Sequence, residues 1–389
     1  MFEIILLIVL GIYVLFILQL IFGFDKIKSF VRTDEKPITK FSIIVPFRNE
    51  EKNLLKLLKS ISKLNYPKDL FEIILVDDFS SDGSEKVFNT WRFQNGLIQT
   101  TLLENLRLSN SPKKDAISRA IPILKHEWVI TTDADCTVNK NWLLTLDNFI
   151  QKNNVEMVVG AVVYKTKNNW FHQFQQLDLL SLQGTTIGSF GIRKPFMCNG
   201  ANFAYTKKLF NEIRGFDGNN KMASGDDVFL LQKALKNHAD KVHYLKNTDS
   251  IVKTKPENDL YKLFMQRVRW ASKTTGYSGY YSKSLAVVVL VMNALLVASL
   301  GLRIIGTSFI DCAQDDTLSL TISWQILLIT FSIKYFVDYL LLLKSNQYLR
   351  KSKFIFPIAS SLVYPFFSSF VGIYSLFGNF SWKGRNFNK

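Results

Sequence analysis

Hydrophobic and polar positions follow different rhythms along this 389-residue chain, and the changes of rhythm divide it. Residues Ile4 to Phe24 are apolar without a charge, about the length a ~30 Å hydrocarbon core requires of a helix. No basic stretch precedes this run and no small-residue cleavage site succeeds it. It therefore reads as a transmembrane helix over 1–24 rather than a signal peptide. Lys26, Lys28 and Arg32 come next, and the positive-inside rule places them, together with the globular residues beyond, in the cytoplasm.

Globular patterning occupies 25–283. Apolar runs then return at 285–310 and 320–343, separated by acidic 311-DCAQDDTLS-319 and followed by basic 344-KSNQYLRKSK-353. That charge order predicts a transmembrane hairpin over 284–343, with the first loop outside and the second inside. Lys334 and Asp338 stand four apart on one helix face and can neutralise each other within the bilayer. The last apolar stretch, 354–380, carries Pro357 and Pro365 and ends in basic 381-SWKGRNFNK-389. A plain span would leave that basic tail outside. For 344–389 the expectation is a broken, interfacial or re-entrant segment with a cytoplasmic tail, a further span being the alternative.

Inside 25–283 the period alternates between strand and helix. The β-branched run 41-FSIIVPF-47 predicts a buried strand. Leu54, Leu57, Leu58 and Ile61 repeat at helical spacing behind Asn49, which stands where an N-cap would. A strand at 71–78, a helix from 80, a weak strand near 98–103, a helix at 113–124 and a strand at 127–135 come after it. Such alternation predicts an α/β, Rossmann-like domain with a mostly parallel sheet and helices on both faces, flanked by N- and C-terminal transmembrane helices. Ligands of such sheets sit beyond the carboxyl ends of the strands.

Composition refines the picture. Hydrophobic residues make up 48% of the chain, yet 21% are charged, as expected of a soluble domain fused to membrane segments. The net charge of +16 suits phosphorylated substrates or an anionic lipid surface. No basic run is dense enough for a nucleic-acid tail, so no nucleic acid is expected as partner. Cys136, Cys198 and Cys312 lack metal-ligand spacing and there are only four histidines, which argues against zinc and against a disulfide framework. No GxGxxG stands after the first strand and no GKS/T loop is present.

Three polar clusters fall at predicted strand ends: Arg48-Asn49-Glu50, Asp77-Asp78 and Asp133-Ala134-Asp135. A lone D-x-D is most often a solvated turn, but three clusters on one edge suit a metal-bound nucleoside diphosphate. Mg²⁺ or Mn²⁺ is typically held by one or two carboxylates, with phosphate oxygens filling other positions. Extended residues at i and i+2 point to one side, so Asp133 and Asp135 can share such a metal. Asp77 or Asp78 can accept from the base or ribose, and Lys113 or Lys114 can reach phosphate. Cys136 reads as a small buried residue rather than a nucleophile.

The set 45-VPFRNEE-51, 75-LVDDFSSDGS-84, 133-DAD-135, 199-NGANFAYTK-207, 225-GDD-227 and 266-QRVRW-270 resembles the family 2 inverting glycosyltransferases of GT-A fold. The resemblance runs from about Phe41 to Trp270. It extends to the membrane-bound branch, which includes cellulose, chitin and hyaluronan synthases and the ceramide-glucosyltransferase-like enzymes. It implies donor contacts from Pro46, Arg48, Glu50, Asp77, Asp78, Lys114, Asp133 and Gly200, a divalent cation on Asp133 and Asp135, and Asp227 as general base. Asp226 stands where Glu is commoner in the family. Gln266, Arg267, Arg269 and Trp270 match a motif implied to serve the diphosphate and acceptor.

Direct attack by an alcohol needs a carboxylate to take its proton, and Asp227 would sit at a helix N-terminus that keeps it ionised. The closing Trp382-Lys383-Gly384-Arg385 resembles a tail motif of lipid-modifying members and could cover the site at the bilayer surface. The expected function is a multi-pass inner (plasma) membrane enzyme with a cytoplasmic catalytic domain. It would move a sugar from a nucleotide-sugar, UDP-linked by preference, to a lipid or lipid-linked acceptor. The alternatives are a processive polysaccharide synthase, which the QRVRW motif favours and the small number of apolar segments disfavours, and a non-catalytic membrane scaffold.

Overall fold

The computed structural model describes residues 2–167, 169–219, 222, 224–310, 322–350, 354 and 356–387. The first half runs α1 (Phe2–Lys26), β1 (Phe41–Phe47), α2 (Glu51–Ser62), β2 (Phe71–Asp77), α3 (Ser84–Gln94), β3 (Gln99–Glu104), α4 (Pro112–Ala120), β4 (Trp128–Thr131) and α5 (Trp142–Lys152). Then come β5 (Met157–Gly160), β6 (Val162–Tyr164), α6 (Trp170–Gly191), β7 (Phe203–Thr206), α7 (Lys207–Glu212), α8 (Asp226–Asn237), β8 (Val242–Leu245), β9 (Val252–Thr254) and α9 (Leu260–Ala271). The chain closes with α10 (Tyr280–Ile310), α11 (Trp324–Leu349), α12 (Pro357–Phe377) and the strands β10 (Phe380–Trp382) and β11 (Arg385–Phe387).

The central sheet has the order β3-β2-β1-β4-β7-β5-β8. Strands β3, β2, β1 and β4 are parallel, β7 runs antiparallel between β4 and β5, and β5 pairs parallel with β8. The alternation of β1 explains its two-sided burial. Phe41, Ile43, Val45 and Phe47 join Leu54, Leu57, Leu58 and Trp142 on one face. Ile44 faces Ile117, Leu180, Ile187 and Leu230 on the other. A strand covered on both faces needs no polar side. The buried exception, Ser42, donates to Glu72 at 2.6 Å.

Two local expectations are corrected. Asn49 is no N-cap: it adopts a left-handed φ of 52°, and its Oδ1 accepts from the Ser81 N–H at 2.8 Å, tying β1's end to the turn after β2. Strand β4 stops at Thr131, so Asp133 and Asp135 occupy a turn closed by Cys136 N–H donating to Asp133 O at 3.0 Å. The extended i, i+2 geometry does not apply to them.

Four helices are long and apolar enough to cross a membrane by length and composition: Phe2–Lys26, Tyr280–Ile304, Trp324–Leu349 and Pro357–Phe377. The acidic loop 311–319, with Cys312, and residues 351–353 of the basic loop lie outside the described residues. The break expected within 354–380 is absent, since α12 is one helix with Pro365 inside it. Both ends of α12 nevertheless meet the α/β domain. Phe354, just before it, packs against the core cluster shared by the sheet and the end of α11. Phe380 and Phe387, just after it, pack on Val268 of α9.

Helix α1 is fastened to the domain by backbone contact. A Cβ on Gly191 would lie 1.7 Å from Gly23 O, and one on Gly188 would lie 2.3 Å from Leu20 O. These glycines therefore let α6 and α1 touch at van der Waals distance, as small residues do where membrane helices cross closely. Lys246 donates to Phe24 O at 3.2 Å and Ile27 O at 2.9 Å, closing the end of α1. Lys344 of α11 reaches Asp25 at 2.7 Å. Replacing Gly191 with Val should cost ~1–3 kcal/mol from overpacking and lower the apparent melting temperature of the detergent-solubilised protein by several degrees. Gly11→Ala, where nothing lies within 4 Å of the new Cβ, should leave it nearly unchanged.

Candidate active site

The carboxyl ends of β1, β2 and β4 open into a cavity of about 1350 Å³. Its upper part is lined by Pro46, Arg48, Glu50, Asp78, Lys113, Asp133, Asp135, Gly200, Asp226 and Asp227. Its lower part continues between α1, α6, α10, α11 and α12. This exceeds the ~300–1,000 Å³ usual for a single small ligand.

Carboxylates meet here because each stands after a strand or opens a helix at the same sheet edge. The Asp133 and Asp135 carboxylates and the Cys136 thiol place one atom each within 4.8 Å of one another. Burial pushes Asp135 up to about 6, with help from the nearby Asp133 and Glu50 charges and against that of Lys383. Burial also pushes the Cys136 thiol well up, so it stays protonated. Two hard oxygen donors beside a protonated thiol fit Mg²⁺ or Mn²⁺ rather than a soft metal.

Lys113 bridges the acids. Its Nζ lies 2.6 Å from Asp133 and 3.3 Å from Asp226. Burial alone would lower its pKa, but those two carboxylates outweigh it and hold the ammonium charged. Gly200 makes the bridge possible, since a Cβ there would sit 2.9 Å from Asp226 Oδ2 and 3.0 Å from Lys113 Nζ.

Asp227 opens α8 and is held on three sides. Its Oδ2 accepts from Gly200 N–H at 3.0 Å, and its Oδ1 accepts from Val228 N–H at 2.8 Å and from Lys273 at 3.1 Å. Burial raises its pKa, but the Lys273 and Lys113 charges prevail and hold the carboxyl below its usual range. Lys273 was missed in the sequence. Its one signal is position, a turn beyond the end of QRVRW.

The other expected site residues divide. Asp78 is buried, accepts from Asn105 Nδ2 at 2.8 Å and is ion-paired with Arg385 of the tail. Glu50 is likewise ion-paired with Lys383, so the β10–β11 hairpin lies over the upper cavity. Asp77 does not line the cavity: its Oδ1 accepts from Ser80 N–H at 3.0 Å and caps the turn. Arg48 donates to Asp78 O at 2.7 Å and braces that loop. Lys114 also points away, donating to Asn219 O at 2.7 Å and Met222 O at 3.0 Å, and Lys113 takes the position at the acids.

Within QRVRW, Arg267 is already matched by Asp178 at 2.5 Å and stacks 4.2 Å over the Trp270 ring. Gln266 donates to Glu257 at 2.8 Å. Arg269 is the arginine in the field of Asp133, Asp226 and Asp227. Burial nevertheless keeps its pKa below the ordinary value. In the NGAN segment, Asn202 is structural, donating to Ala161 O and Ser250 O at 2.8 Å each.

The fold is of the α/β class, and its sheet edge gathers this cluster of acids. Residues 42–214 match the family described as glycosyl transferase family 2. TarS of Staphylococcus aureus, a poly(ribitol-phosphate) beta-N-acetylglucosaminyltransferase, is 32% identical over 120 residues, 31% of this chain. The beta-monoglucosyldiacylglycerol synthase of Trichormus variabilis is 25% identical over 156 residues, 39% of this chain. The matches span 20% of TarS and 33% of the synthase. The mannosyltransferase PcManGT of Pyrobaculum calidifontis, solved with GDP-Man and Mn²⁺, shares the fold. Its TM-score is 0.55 at 17% identity, covering 91% of this chain and 100% of that one. Residues 42–214 thus resemble a glycosyl transferase family 2 domain, and the chain shares the fold of the mannosyltransferase.

Lys113 and Lys114 can be told apart experimentally. Lys113→Met should cut donor turnover at least 100-fold, because it leaves Asp133 and Asp226 unbridged. Lys114→Met should keep turnover and change stability. Burial lowers Lys114 to about 8 from 10.5, so between those values the unfolded chain binds a proton the folded one has shed. Lys114 therefore adds stability as pH rises through that window. The melting temperature of the wild type should gain on that of Lys114→Met between pH 8 and 10.

Proposed function

We propose that the protein is a membrane-embedded inverting glycosyltransferase that moves a sugar from a nucleotide-sugar, UDP-linked by preference, to the hydroxyl of a lipid or lipid-linked acceptor. The observation that carries this reading is the continuity of one cavity, from the carboxylates at the sheet edge down between helices long enough to cross a bilayer. Two sides of the reaction meet in that space: a charged donor above and an apolar acceptor below.

Asp78 would hold the nucleoside once Arg385 withdraws, and Asp133 and Asp135 would hold the divalent cation. When bound, that cation neutralises the diphosphate leaving group. Lys113, Lys273 and Arg269 add positive charge around the same point. The acceptor oxygen attacks the anomeric carbon, the bond from that carbon to the diphosphate breaks, and the hydroxyl proton passes to Asp227. A carboxylate held below its usual range is a weak base on its own. Loss of the Lys273 contact as the acceptor enters would strengthen it.

The catalytic domain would face the cytoplasm of an inner (plasma) membrane protein, below the ends of α1, α10 and α11. Phe354 and Phe380, at the two ends of α12, both pack against the domain, which supports a course along the boundary of the bilayer.

Asp227→Asn should lower kcat/KM by about 10²–10⁴-fold without shifting the melting temperature by more than a few degrees. Asp133→Ala should abolish metal-dependent transfer. Membranes given labelled nucleotide-sugar should yield a product that partitions into organic solvent. A water-soluble polymer would reject the reading in favour of a processive synthase, and unchanged turnover in Asp227→Asn would reject the base.

A further inference from the structure

The lower part of the cavity holds polar groups that the transfer chemistry does not use. Tyr13 of α1 donates to Asp338 at 2.6 Å, and Lys334 of α11 pairs with Asp338 at 2.7 Å. Tyr364 of α12 faces both Asp338 and Asp178, and Asp178 is matched by Arg267. Ionisable groups from five helices thus line one cavity floor, and their charges cancel: Lys334 against Asp338, Arg267 against Asp178.

Beside them stand two hydroxyls that have no partner among the described residues. Ser360 is 4% exposed, and its Oγ makes no hydrogen bond; Ser368 Oγ is buried and also makes none. Both serines line the cavity. A buried donor without an acceptor costs ~1–3 kcal/mol, and helix serines ordinarily satisfy themselves on a backbone carbonyl, as Ser345 does on Leu341 O at 2.8 Å. Leu285, Leu290 and Val371 supply apolar wall around them.

We infer that this floor is the binding site for the backbone of an uncharged, hydroxyl-bearing lipid. Its ester or amide carbonyl oxygens accept from Ser360 and Ser368, its chains lie along the apolar wall, and its head group extends toward Asp227. Charge favours this class over lipid phosphates, because Lys334 and Arg267 on the floor are each already matched by a carboxylate. A phosphate acceptor would also arrive already deprotonated, needing no base and meeting Asp226 and Asp227 head-on. The inference rests on the proposed transfer to a lipid and specifies its acceptor.

The test uses the full-length protein in nanodiscs with a diacylglycerol carrying a photoactivatable diazirine on one chain, and a phosphatidic acid with the same chains. Cross-linked peptides are mapped by mass spectrometry. The diacylglycerol should label peptides from 324–349 and 357–377 at least fivefold more than the phosphatidic acid, and excess unlabelled diacylglycerol should compete. Ser360→Val with Ser368→Val should reduce labelling at least fivefold, about the worth of one lost hydrogen bond. Ser360→Thr with Ser368→Thr, equal in volume but keeping both hydroxyls, should retain it. Equal labelling by both lipids, or by the Val and Thr pairs, overturns the inference. Asp227→Asn separates this outcome from that of the transfer reading: labelling that persists while turnover is lost supports both. If the wild type turns over no nucleotide-sugar yet labels as expected, only the transfer reading fails.

Discussion

Six carboxylates converge on one sheet edge, and the rest of the site is arranged around keeping them together. Glu50, Asp78, Asp133, Asp135, Asp226 and Asp227 line a single cavity, and like charges in partly desolvated surroundings repel strongly. The protein answers with cations from distant parts of the chain. Lys113 comes from α4, Lys273 from just beyond α9, and Lys383 and Arg385 from the terminal hairpin. Those last two neutralise Glu50 and Asp78, so the tail hairpin holds two of the six acids while it lies over the cavity.

Much of this was legible in the sequence because it depends on local rules. The β-branched run of β1, the helical spacing of α2 and the D-x-D turn each declare themselves within a few residues. Their placement on one edge comes from parallel topology. Partner choice was harder to read. Nothing local separates Lys113 from Lys114, since both open the same helix, and only the packing of α4 turns one to the acids and the other to Asn219 O. Asp77 and Asp78 divide in the same way, one capping a turn and one entering the cavity. Lys273 was invisible because its role depends on the return of α9 across the sheet edge. The antiparallel insertion of β7 was equally hidden, as a four-residue apolar strand carries no mark of direction.

The α12 segment shows a different limit. Its prolines and serines suggested a broken segment, yet Pro365 is accommodated inside one continuous helix. Helices can absorb a proline where neighbouring groups satisfy the freed carbonyl. The charge of the tail bears on a separate matter, where the ends of α12 lie, and not on how the backbone between them is built.

The glycine seam between α1 and α6 carries a consequence for selectivity. Where backbones meet without intervening side chains, the two helices have no compliant layer through which to slide or tilt. Under the proposed membrane topology, the elevation of Asp227 above the bilayer is then set by the skeleton, as in a height gauge. Acceptors would be sorted by the reach of their head groups, while the length of their hydrocarbon tails would matter little.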